Sequence, residues 1–344
     1  MKKYSFVIIL VLLFGMTTNL LAQDSKESRY YYVGNMGQDL TIQMELSVDG
    51  KSVRGSYYND RTGVPIPLLG EVNFDESKIS LTTKSGSRKF NGEYPPINDG
   101  LGTVLEGMYT EQDGLVKFPF KLTKVANYET SVIKQLDKVE TEWSYPQLIS
   151  KNEVIQKLSS KLHDSMKPKI DEFQNMAKEA FMDDLITDTY LFNYSYSIEY
   201  YSEQLISFVG QVYSYAGGAH GNTYYVSSNY LVNETDSKLL KLADLFKKDS
   251  NYVKVLSDLI IADLTKQKAG LVVNGEIKSL KEDEIGPFAL SPRGVQFAFA
   301  PYAVAPYVEG EFFVTISFDD LHNIIDQKGP LGHFISPKLP EPAE

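Results

Sequence analysis

The feature that most constrains this chain is the alternation of apolar and polar residues that recurs from Tyr30 to Thr123. Leu40, Ile42, Met44 and Leu46 alternate with polar neighbours, and Val116, Phe118, Phe120 and Leu122 repeat the pattern at the far end. A period of two sends successive side chains to opposite faces of an extended backbone, so these segments are strands with one buried face. Between them lie Val53 to Tyr58, Pro65 to Val72, Ile79 and Leu81, Phe90 to Tyr94 and Thr103 to Tyr109, punctuated by turn residues. VDGK at Val48 to Lys51 has the composition of a hairpin turn. Seven or eight short strands in a row predict an up-and-down meander or small barrel over residues 23–124. Gly55, Gly70, Gly92 and Gly107 fall within or beside those strands, where a missing Cβ permits a sharp bend.

The pattern then changes. Residues 124–149 read as a connector. Ser150 and Glu153 form an S-x-x-E capping signal before a helix that runs to about Leu185, with Pro168 expected to kink or divide it. Thr189 to Tyr201, Gln204 to Ala216 and Tyr224 to Val232 read as strands crowded with tyrosine. A short helical turn is expected at Leu242 to Phe246. A longer helix follows over Ser250 to Lys268, with Val253, Leu256, Ile260 and Leu264 on one face and Gly270 as its stop. FALSPRGVQFAF, Phe288 to Phe299, is a hairpin, and Glu311 to Phe318 a last strand. Pro301 to Pro306 cannot be a central strand, because two prolines remove ladder donors. The predicted fold class is α+β in two domains: the N-terminal all-β meander or barrel, then over 125–325 an antiparallel sheet with helices on one face. Residues 326–344, rich in Pro and Gly, are expected to be a flexible tail.

The first 22 residues have the form of a secretory signal peptide: Lys2 and Lys3, an apolar run of 11 residues from Phe6 to Met16, and a cleavage position after Ala22. The run is shorter than the roughly 18–20 residues of a spanning helix. The mature chain is therefore expected in the periplasm or outside the cell, and not as an integral membrane protein. There is no cysteine, which excludes disulfides, a lipoprotein anchor and cysteine metal sites. The net charge is −11, and a leader carrying Lys2 and Lys3 and no acid leaves −13 when removed. No basic stripe is present to bind nucleic acid. The charge is compatible with a basic partner.

YSYAGGAHG at Tyr213 to Gly221, LLKLADLF at Leu239 to Phe246, and Phe288 to Leu321 occur in that order. Together these segments resemble the extracytoplasmic domain shared by RsiV-type anti-sigma factors, which act as lysozyme receptors, and by the non-catalytic N-terminal part of PdaC-type peptidoglycan deacetylases. The resemblance covers roughly residues 130–325. It implies a non-enzymatic binding protein whose partner is a basic lysozyme-like protein or a peptidoglycan component. Only five residues precede the apolar run, so the resemblance does not extend to the cytoplasmic sigma-binding segment. Nothing in the chain is similar to the metal-binding deacetylase domain either, and residues 30–123 match neither protein.

Three groups of residues are candidates for contact with a ligand. His220 lies between glycines in a loop with Tyr215, Gly217 and Gly218, where it serves either a backbone hydrogen bond or a ligand. His163, His322 and His333 are the remaining histidines, none at a metal-ligand spacing, so no metal and no cofactor is expected. Of the chain's 23 tyrosines, Tyr194, Tyr196, Tyr200, Tyr201, Tyr213, Tyr215, Tyr224, Tyr225 and Tyr230 crowd the three middle strands, where they suit half-buried sheet surface as well as interfaces. Pro301, Tyr302, Pro306 and Tyr307 form a loop that two prolines pre-order, either as a contact surface or as a rigid connector. Two further functions remain open: a cell-wall hydrolase using Asp183 or Glu199 with His220, and a carrier of a small apolar ligand inside the β domain, lined by Leu40, Met44, Phe118 and Phe120.

Overall fold

The computed structural model describes residues 27–95, 100–111, 114–135, 138–182 and 189–335. The expected signal peptide lies outside these residues.

Eight strands close into a barrel: β1 (Ser28–Met36), β2 (Leu40–Asp49), β3 (Ser52–Asn59), β4 (Ile66–Asn73), β5 (Lys78–Thr83), β6 (Arg88–Glu93), β7 (Val104–Glu111) and β8 (Val116–Gln135). Each pairs antiparallel with the next, and β1 returns to β8 with Gly34 opposite Leu122. The alternation explains the closure. Ile42, Met44, Leu46 and Val48 point inward with Leu68, Leu81, Leu105 and Leu122, all buried. Phe90 fills the centre, with the rings of Tyr57, Tyr109 and Phe120 centred 4.8, 4.9 and 5.3 Å away. Aromatic side chains thus occupy the space a carried ligand would need, and Phe118 of the expected lining is 44% exposed. At Gly107 the missing side chain leaves room for the neighbouring strand: a Cβ there would strike the Asn91 carbonyl.

β8 continues past the barrel. Its residues Ala126 to Gln135 pair with β9 (Val139–Leu148), so the expected connector over 124–149 is a hairpin arm, and the boundary drawn at residue 124 falls inside a strand. α1 (Glu153–Met182) then carries the chain back over the sheet, and β10 (Tyr190–Tyr201) pairs parallel with β9. β11 (Leu205–Tyr215), β12 (Asn222–Val232) and β13 (Ser237–Leu239) follow antiparallel. The sheet is therefore mixed rather than antiparallel, because a parallel pair needs a long crossover and the 30-residue α1 supplies it. Pro168 does not divide α1, whose Leu158, Leu162, Met166, Ile170 and Phe173 are buried on the tyrosine-rich face of β10 and β12. Its cap is Asn152, whose Oδ1 accepts from Val154 N–H at 2.9 Å, in place of the expected Ser150.

A second sheet, β14 (Phe288–Ser291), β15 (Gly294–Phe299) and β16 (Phe312–Ile316), carries its own helix α2 (Tyr252–Gln267). Leu256, Ile260 and Leu264 of α2 are fully buried on it. The helices thus serve two sheets and do not gather on one face of one sheet. Lys268, with φ 67°, takes the left-handed cap of α2 two residues before the expected Gly270, which instead opens the short α3 (Gly270–Val273). Residues expected as the start of a flexible tail are packed as far as Ile335: Leu331 is buried, and Phe334 stacks on Phe318 at 4.9 Å.

The barrel is fastened to β10 by polar side chains. Gln43 is buried, and its amide pairs with both backbone polar groups of Tyr201: Nε2 donates to the carbonyl at 3.1 Å and Oε1 accepts from the N–H at 3.0 Å. Arg29 bridges Glu45 at 2.8 Å and donates to Ser197 Oγ at 2.8 Å. Tyr128 receives the Ile198 N–H at 3.1 Å and donates to Glu45 at 3.1 Å. Alternation alone places Gln43 and Glu45 on the barrel's wet side; here that side is covered by the mixed sheet.

Candidate functional site

β11 and β12 are joined by the loop Ala216 to Gly221. Gly217 and Gly218 take φ of 85° and 94°, values that strain any residue with a Cβ, and Tyr215 O–H donates to the Gly218 carbonyl at 3.2 Å to close the turn. Gly221 has a different reason to be glycine: a Cβ there would enter the ring of Tyr213. Burial and the nearby Tyr307 hydroxyl raise the pKa of Tyr213.

The Pro/Tyr loop follows β15. Ala303 N–H donates to the Ala300 carbonyl at 3.0 Å, which makes Ala300 to Ala303 a turn with Pro301 second and Tyr302 third. Tyr302 has φ 71°. Positive φ at the third position, after proline, is the type II arrangement, and that position ordinarily belongs to glycine. A tyrosine held there costs about 1–2 kcal/mol of backbone strain. The loop nonetheless leaves its ring 58% exposed. Pro306 precedes a 3-10 turn over Tyr307–Glu309, and the Glu309 carboxylate accepts the Gly270 N–H at 3.0 Å, tying the loop to α3.

These two loops, more than eighty residues apart in the chain, meet. The rings of His220 and Tyr307 stack with centroids 3.7 Å apart and 18° between planes. Tyr302 lies 5.4 Å from Tyr307 and 6.2 Å from His220. His220 Nδ1 and the Tyr307 hydroxyl both reach the Gly221 carbonyl at 2.9 Å. A carbonyl only accepts, so Nδ1 donates to it, and Nε2 faces the Tyr302 hydroxyl at 3.4 Å. The histidine is oriented on one edge by backbone and on the other by a phenol. Of the two roles expected of it, the backbone hydrogen bond is present. Of the candidate residues, His220, Tyr302 and Tyr307 come together; Tyr215, Gly217, Gly218, Pro301 and Pro306 shape the loops that present them. Tyr213, weighed in sequence only as one of the strand tyrosines, is the support beneath Gly221, and its position at the start of the same small-residue run was the available signal.

Glu199, one of the two acids considered for hydrolysis, does not join this cluster. Glu199 sits near the opposite end of β10, eight residues beyond Leu191, which pairs with Tyr215. At about 3.3 Å per residue that separation is roughly 26 Å, too far for a shared proton. Asp183 lies outside the described residues. Among the described residues no three His, Cys, Asp or Glu side chains converge to hold a metal ion. No helix among them is long and apolar enough to cross a membrane.

Two family models match the chain: Deacetylase PdaC over residues 133–223, and Protein of unknown function (DUF3298) over residues 243–319. Peptidoglycan-N-acetylmuramic acid deacetylase PdaC of Bacillus subtilis (strain 168) is 28% identical over 188 residues, which is 54% of this chain. The match takes in only 38% of that relative's length. Two solved structures are similar to the chain. A DUF3298 family member from Bacteroides fragilis NCTC 9343 has 17% identity and TM-score 0.44, over 61% of this chain and 97% of that one. A DUF3298 family protein from Pseudomonas aeruginosa PAO1 has 14% identity and TM-score 0.40, over 58% and 93%. His220 falls in the first matched region, and Tyr302 and Tyr307 in the second, so the aromatic cluster spans both. Residues 133–223 are therefore a PdaC domain and residues 243–319 a DUF3298 domain, within the segment for which the sequence resembles PdaC-type proteins.

Proposed function

We propose that this chain is an exported, non-enzymatic binding protein of the cell envelope, and that the His220–Tyr302–Tyr307 cluster is its contact surface. The observation that carries this reading is Tyr302. A bulky exposed ring is held at a turn position suited to glycine, and such local strain is characteristic of functional sites. The partner is a cell-wall component or a lysozyme-like protein. The PdaC domain and the peptidoglycan enzyme that shares it support a wall-related role. The barrel and the sheet form the scaffold that presents the two loops.

Calorimetry of residues 23–344 against solubilised peptidoglycan fragments and against a panel of lysozymes tests this. Saturable binding to one of the two is expected at low and moderate salt. Tyr307→Ala should weaken it about tenfold or more, since aromatic anchors dominate contact surfaces, with little change in the melting temperature. Absence of saturable binding in both arms, or a Tyr307→Ala protein that binds like the parent, overturns the reading.

A further inference from the structure

The loops that form the cluster carry no formal charge. Tyr213 to Thr223 and Ala300 to Val308 contain no Asp, Glu, Lys or Arg, in a chain of which 23% is charged and whose net charge is −11. The nearest flanking acid, Glu309, is turned to the Gly270 N–H. What the loops present instead is ring faces and hydrogen-bonding edges. Tyr302 is 58% and Val308 90% exposed, and the Tyr302 hydroxyl and His220 Nε2 lie together at the surface.

From this we infer that the site takes an uncharged glycan, the sugar backbone of a wall polymer and not its charged substituents. The inference rests on the binding-surface reading above and names its ligand class. The physical case is one of complementarity. A basic protein surface is recognised by carboxylates, and an anionic polymer by lysine or arginine; the two loops supply neither. A pyranose ring offers an apolar C–H face, which packs on the flat face of Tyr302, and equatorial hydroxyl or amide groups, which pair with a phenol and an imidazole at its rim. Neutral contacts of this kind lose little strength in salt, because no ion pair is screened. The prolines and the hydrogen bonds to Gly221 hold the rings in place before the ligand arrives, so little ordering is paid on binding.

The test uses the mature chain, a neutral β-1,4-linked N-acetylglucosamine hexamer and a basic lysozyme, titrated at ~50 mM and ~500 mM salt. The hexamer should bind saturably, with affinity changed by less than about twofold between the two salts. Tyr302→Gly should weaken hexamer binding by about tenfold or more. This variant suits the turn, so its melting temperature should be equal to or above that of the parent. Binding to lysozyme that depends on Tyr302, with none to the hexamer, sinks the glycan inference and leaves the binding surface standing. Hexamer binding that collapses in salt also overturns it. If neither ligand shows Tyr302-dependent binding, the inference and the reading beneath it fall together.

Discussion

Two aromatic clusters in this molecule are built from similar side chains and serve opposite ends. In the barrel, Tyr57, Tyr109 and Phe120 close around Phe90 edge-on or tilted, and the group is buried. Between the two matched domains, His220 and Tyr307 stack and Tyr302 stands out into solvent. The first cluster needs no backbone device, since alternation on the strands delivers each ring to the interior. The second depends on positive φ at Gly217, Gly218 and Tyr302, and on a glycine at 221 that makes way for Tyr213. Rings that serve packing are placed by regular structure, and rings that face solvent are placed by turns that cost free energy to hold.

Substitution of Phe90 attacks the first half of that contrast hardest. Phe90→Ala should destabilise the protein by about 3–5 kcal/mol, read by urea denaturation, through lost transfer energy and the cavity left behind. Ligand affinity of the folded fraction should be unchanged. A Phe90→Ala protein that is stable but fails to bind would show that the barrel interior, not the loops, is the site.

A smaller effect belongs to the junction between the barrel and β10. Burial first, and the negative charge of Glu45 second, push the Glu199 carboxyl up to about 7, against the opposing pull of Arg29 and Arg293. Asp60 nearby is raised to about 6 by burial, opposed by its hydrogen bond from Gln43. A carboxyl raised on folding binds its proton more tightly in the native state than in the unfolded chain. Its contribution is therefore complete below the unfolded value of 4.5 and is lost as pH rises through about 7. For Glu199 this amounts to a fall of up to about 3 kcal/mol across that window. Stability measured from pH 4.5 to 8 should fall more steeply in the parent than in Glu199→Gln. Identical slopes would remove Glu199 from the account, and in both proteins binding at the loops should follow its own course.

The smallest expected effect on stability, and the one that sharpens the contrast most, is that of Tyr302→Gly. The barrel loses heavily when an aromatic is removed, whereas this loop should lose nothing, because glycine relieves a left-handed tyrosine. A fall of more than about 1 kcal/mol would make Tyr302 a structural ring like Phe90.

Much of this was legible in the sequence. Period-two alternation predicted a meander or small barrel, and the structure closes it. The 3-4-4 spacing from Val253 to Leu264 marked α2. The hairpin arm of β8 and β9 was not legible. Asn127 to Gln135 lacks period-two alternation, its apolar Val132 and Ile133 being adjacent, and Pro146 argues against a strand at the position where it pairs with Tyr128. The parallel pairing of β9 with β10 was hidden for the same reason, since a strand that goes unseen has no partner. Gln43 looked like an outward-facing residue because sequence pattern cannot say that a second layer covers the outside. For the site, the small-residue loop and the Pro/Tyr loop each stood out by composition. Their meeting did not, because no local pattern encodes a contact across eighty residues.

The claim on which everything else depends is that the two loops form one ligand surface. Backbone amide NMR of the labelled mature chain, titrated with the N-acetylglucosamine hexamer, examines it residue by residue. Saturable shifts should concentrate in Tyr213 to Thr223 and Ala300 to Val308 and leave the barrel strands unmoved. Shifts confined to the barrel or to the β8–β9 arm, or none at saturating hexamer, would contradict it.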